Sequence, residues 1–109
     1  MAEAPAPAPR YHIDPYLDWV KKEGLPVYED YGLYLFSLET KMWPRVGVKA
    51  AAAHLKGRGD FANMFLFELP PGGNTQPQKH LYEEVVYVLE GVGSTQIELP
   101  DGSKRAFEW

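Results

Sequence analysis

Apolar positions divide the chain into an arm, a helix and a series of short strands. Residues 2–9 are mostly alternating alanine and proline, which predicts an extended polyproline-type arm over residues 1–10. A helix with its cap follows over residues 11–26. Asp14 is placed to cap it, Pro15 suits its first turn, and Gly24 ends it before Pro26. Tyr16, Leu17 and Val20 form the expected buried stripe, and Lys21 and Lys22 lie near the negative end of the helix.

Strand patterns dominate residues 27–109. Leu33 to Leu38 is rich in aromatic and aliphatic residues and follows the turn-like Asp30-Tyr31-Gly32. Trp43-Pro44 interrupts, and Val46 to Leu55 reads as a strand through its alanine run. Phe61 to Leu69 is apolar on both faces, as in a strand buried on both sides. Pro70-Pro71-Gly72-Gly73 is a loop, and Val85 to Leu89 is the next strand. Ser94 to Leu99 and Lys104 to Trp109 flank Pro100-Asp101-Gly102-Ser103, a hairpin signal because Asp-Gly accepts the positive φ of a tight turn. Short strands joined by Gly/Pro turns predict an all-β sandwich or barrel. No helix–strand alternation suggests a parallel sheet.

Composition narrows the class. The 109 residues are 45% hydrophobic and 14% aromatic, which is globular material, and the net charge is -4 without a basic run. Nucleic acid is therefore not an expected partner. The chain has no cysteine, so disulfides, thiolate metal sites and cysteine nucleophiles are excluded. No apolar run spans a bilayer, and the N-terminus lacks the pattern of a signal peptide. The expectation is a cytoplasmic protein without membrane contact.

One stretch carries candidate chemistry. Five residues separate Gly72 from Gln78, His80 follows at the second position after Gln78, Glu84 comes four later, and Tyr87-Val88-Leu89-Glu90-Gly91 closes the run. Side chains two apart on a strand share a face, so Gln78 and His80 are expected to project together, with Glu84 reaching the same point from the next strand. An imidazole and a carboxylate converging in a barrel mouth are ligands for a divalent metal. With a second histidine they make the facial triad of non-haem iron sites.

This stretch resembles the first motif of the cupin superfamily, with Gly72, His80, Glu84 and Gly91 in register. The resemblance covers about a fifth of the chain. It implies a double-stranded β-helix (jelly roll), present as its N-terminal portion with the short helix and arm. It implies metal ligands at His80 and Glu84, with a divalent transition metal (Fe, Mn, Zn or Ni) as cofactor. Gln78 stands where the family has its first histidine, and its neutral amide is a weaker ligand, placed to bind metal loosely or to orient substrate. The family's second motif has no counterpart within these residues. Two good ligands are too few for a tight site.

Two functions follow from the resemblance. One is a metal-dependent, oxygenase-like enzyme acting on a small organic substrate, as in the gentisate-type two-domain cupins. The other is a non-catalytic barrel half that serves small-molecule binding or dimerisation without metal. The strands up to Trp109 are expected to leave unpaired edges, so the expected partners are a complementary C-terminal cupin segment or a second copy in a homo-oligomer. Other candidates weigh less. His12 reads as a surface residue, His54 as a satisfied core or surface histidine, Arg58-Gly59-Asp60 as a turn, and Glu83 as pointing away from Glu84.

Overall fold

The computed structural model describes residues 15–56 and 62–109. The arm, the Asp14 cap, His12, Arg58-Gly59-Asp60 and Phe61 lie outside these residues. The chain divides into two compact units, Met1–Gln78 and Lys79–Trp109. The described elements are one helix, one 3-10 turn and six strands in two sheets, so the chain is β-rich. Among the described residues no helix is long and apolar enough to cross a membrane.

In the first unit, helix α1 (Pro15–Lys22) ends where Glu23 N–H donates to Trp19 O and Gly24 adopts φ 74°. Gly24 tolerates this left-handed backbone because it has no Cβ. Four strands follow: β1 (Val27–Asp30), β2 (Lys41–Trp43), β3 (Val48–Leu55) and β4 (Met64–Glu68). β3 is the organising strand. β4 pairs antiparallel along one of its sides, from Lys49↔Glu68 to Ala53↔Met64. The other side is shared end to end. β2 takes the first part (Lys41↔Ala50 to Trp43↔Val48), and β1 takes the second (Val27↔Ala52 to Asp30↔Leu55).

The register explains the core. Val48, Ala50 and Ala52 share a sheet face with Trp43, Phe65, Phe67 and Val27. The two alanines are fully buried, and their small side chains leave room for large rings. Trp43 stacks on Phe65 at 5.3 Å and on Phe67 at 6.3 Å, while Trp19 meets Trp43 edge-on at 5.7 Å. Val20, Leu25 and Val46 complete the cluster. Val20 is fully buried, whereas Tyr16 and Leu17 are half-buried. Arg45 caps the outer side, lying 5.5 Å over the Trp19 ring and ion-paired to Glu23.

Several expectations need correction here. Leu33–Leu38 is not a strand. It contains a 3-10 turn, Leu35–Ser37, with Ser37 Oγ donating to Tyr34 O at 2.7 Å, and it leaves Tyr34 and Phe36 exposed. β1 and β2 were not expected, and β1 runs parallel to β3 although no βαβ alternation is present. The β1–β2 connection that permits this is pinned by Tyr28, whose hydroxyl donates to Glu39 O at 2.9 Å and accepts from Glu39 N–H at 3.1 Å. The Val46–Leu55 strand begins two residues later than expected, because Pro44–Gly47 forms the tight turn between β2 and β3.

The second unit contains one hairpin, β5 (Ser94–Glu98) with β6 (Lys104–Glu108), in the expected place. Gly102 has φ 85°, and Asp101 accepts from both the backbone N–H and the hydroxyl of Ser103. Thr95, Ile97, Arg105 and Phe107 share one face, while Ser94, Gln96, Lys104 and Glu108 share the other. Trp109 and Gly93 exchange backbone hydrogen bonds just beyond the ladder, and the Trp109 indole donates to Thr95 Oγ1 at 3.0 Å. Val85–Leu89 is not a strand. Its residues pair with nothing in the described structure, and Val85 is 93% exposed. A β-branched run becomes a strand only where it fits a partner and a half-buried surface.

Candidate functional site

His80 and Glu84 lie at the start of the second unit, in an irregular segment rather than on strands. The expected route to their convergence, two strands sharing a barrel face, is therefore not the one observed. A local turn of chain achieves it. His80 Nε2 and Glu84 Oε2 are 2.7 Å apart. The other ring nitrogen, Nδ1, lies 3.0 Å from the backbone oxygen of Tyr82. A carbonyl only accepts, so Nδ1 carries a proton. Nε2 then shares one proton with the Glu84 carboxylate, and both imidazole nitrogens are engaged by the chain itself.

Tyr82 was not singled out from the sequence. Its ring lies parallel to the His80 ring, with centroids 3.8 Å apart and 3° between the planes. Burial raises the phenol's pKa above the ordinary tyrosine value, and the nearby Glu84 charge adds to the rise. The signal available was the spacing itself, an aromatic two residues after a histidine and two before a carboxylate. The His80 side chain is 23% exposed and that of Glu84 45%. Among the described residues Glu84 Oε1 has no hydrogen-bond partner, so one carboxylate oxygen remains available to a ligand.

Gln78 is the last residue of the first unit and is exposed. Among the described residues no hydrogen bond or ion pair joins the Glu83 side chain to His80 or Glu84. Among the described residues no three His, Cys, Asp or Glu side chains gather as a metal-ligand group. The donor set among the described residues is one imidazole and one carboxylate, hydrogen-bonded to each other. That set does not fit a tightly held transition metal, which takes three or four donors with free lone pairs.

Among the described residues His54 is the buried histidine. It ends the core face of β3 at 4% exposure, with the Tyr16 ring 5.2 Å away, and its Nε2 has no partner among the described residues. It packs as a core residue. The hairpin unit also has an open hollow lined by Val92, Gly93, Ser94, Glu108 and Trp109. Glu108 is its one ionisable lining residue, so it offers no cationic group for an anion. A comparison with protein-family models, with curated proteins and with solved structures finds no match to this chain.

Proposed function

We propose that this chain is the N-terminal part of a cupin-type β-barrel that binds a small organic ligand through the His80–Glu84 pair, without a resident metal. The observation carrying this reading is the engagement of both His80 nitrogens, Nδ1 by Tyr82 O and Nε2 by Glu84. While Nε2 is engaged by Glu84 it is not open to a metal, which would have to displace that contact. His80 serves instead to orient the carboxylate, whose Oε1 accepts from a hydroxyl or amine of the ligand. The hydrophobic side chains of the Lys79–Trp109 unit support a covering partner, either a complementary segment or a second copy. Leu81, Val85 and Val92 are exposed by more than nine-tenths, more apolar surface than a lone soluble domain usually presents.

The metal-dependent, oxygenase-like enzyme is the second reading. The observation that favours it is that the two ligand-type side chains of the motif do meet. In that case His80 and Glu84 would hold the metal, which would supply Lewis-acid or oxygen chemistry, and Gln78, two residues earlier in the chain, would be the weak third donor. Elemental analysis of purified protein decides between the readings. We expect less than one equivalent of transition metal in the parent, with an increase in Gln78→His. A full equivalent in the parent that His80→Ala removes would overturn the metal-free reading. For ligand binding, NMR titration with small hydroxyl- and amine-bearing compounds should shift the Glu84 carboxyl resonance. No response to any of them would count against the carboxylate as the binding group.

A further inference from the structure

No backbone–backbone hydrogen bond holds residues 77–92 among the described residues, and no strand or helix includes them. The backbone alone thus gives His80 no fixed place. Yet its side chain is largely covered, and both ring nitrogens are engaged. The covering group is the Tyr82 ring, parallel to the imidazole at 3.8 Å. The same residue supplies the carbonyl at Nδ1. One residue therefore restrains the plane of the imidazole by its ring and the position of its proton by its backbone.

We propose that Tyr82 is the positioning residue of this site: its ring and carbonyl hold His80 with Nδ1–H on the Tyr82 oxygen, which turns Nε2 onto Glu84 through their shared proton and orients the carboxyl group for its ligand. The inference rests on the reading of His80–Glu84 as the functional pair. A second group that fixes tautomer and ring orientation is how proteins generally place a working histidine. Here that group is two residues away along the chain. The aromatic face does the restraining, and the phenol hydroxyl has no part in it.

The test is the His80 ring spectrum, recorded by long-range 15N–1H correlation and assigned by its disappearance in His80→Gln. Tyr82→Phe keeps both the ring face and the carbonyl, and its spectrum should match the parent. Tyr82→Leu keeps the carbonyl and the bulk but removes the face. The upfield ring-current shift of the His80 protons should vanish, and the Nδ1–H signal should broaden and lose its hydrogen-bonded shift as the unrestrained ring turns away from the carbonyl. A Tyr82→Leu spectrum identical to the parent overturns the proposal. So does a Tyr82→Phe spectrum that changes as Tyr82→Leu does, since the hydroxyl would then be the restraint. Residue 82 is exposed and outside every strand and helix, so the sheet core does not depend on it. The ligand titration is read separately. Failure to bind with the ring spectra behaving as expected rejects the function and keeps the positioning role, and the reverse combination does the opposite.

Discussion

Trp43 shows what one side chain does in this sheet. It is 3% exposed and stacks on two phenylalanines of β4 while meeting Trp19 from the helix. It thus ties β2, β4 and α1 together over the alanines of β3. Trp43→Ala should destabilise the chain by about 3–5 kcal/mol in denaturant unfolding, the usual range for removing a buried aromatic. Its Nε1 is buried without a partner among the described residues. Trp43→Phe therefore sacrifices no hydrogen bond, and the loss should be much smaller than for alanine. A Trp43→Phe loss as large as that of Trp43→Ala would mean that an indole hydrogen bond, not ring packing, is what matters at this position.

The β5–β6 hairpin was legible from Asp101-Gly102 alone, because the turn chemistry is local. The Ser103 hydroxyl, and after it the Ser103 backbone N–H, hold the Asp101 carboxyl below its ordinary range. The folded pKa is depressed, so the contribution is present above the unfolded value, about 3.9, and is lost as pH falls through the lower folded value. Amide protection across Ser94↔Glu108 should weaken in that acid window. In Asp101→Asn the window should disappear. β1 illustrates the opposite case. It pairs parallel with β3, and the chain that leaves it is tied back by the Tyr28 hydroxyl, which both donates to and accepts from Glu39. Tyr28→Phe should cost about 0.5–1.5 kcal/mol per hydrogen bond lost, read as earlier unfolding in a thermal melt. An unchanged melt would show that the connection does not need this anchor.

Across the chain, order is distributed unevenly. Ala50–Ala53 are fully buried, and Ala50, Ala52 and Ala53 are paired on both sides, whereas residues 77–92 make no backbone–backbone hydrogen bonds among the described residues. Amide exchange should therefore be slowest at Ala50–Ala53 and close to unprotected over 77–92. A partner covering the exposed apolar side chains of 81–92 would change this. Sedimentation should then give a mass above 12.3 kDa, with protection extending into Val85–Leu89. A well-behaved monomer with free exchange over 77–92 would reject the proposed partner while leaving the β3-centred sheet intact.

The elements that could be read directly were those built by neighbours in sequence. Asp101-Gly102 made the hairpin, Pro15 and Gly24 bracketed the helix, and the alanine run proved to be the central strand because small residues suit a face covered by rings. The pairing of His80 with Glu84 was also visible, as a spacing. What sequence did not reveal depended on distant partners. Val85–Leu89 has the composition of a strand but no bonded neighbour among the described residues, and Leu33–Leu38 turns back on itself instead of extending. β1 is short and polar at its end, and it becomes a strand only because the second part of β3 offers an open side. His54 was left between core and surface because an alanine run carries no face information, and the helix with its Tyr16 ring settles it as core. Tyr82 stacks on His80 through an irregular turn of backbone, which no hydrophobic period records. Local turn and cap chemistry is written in adjacent residues, whereas strand identity, burial and side-chain stacking are set by whatever the folded chain brings alongside.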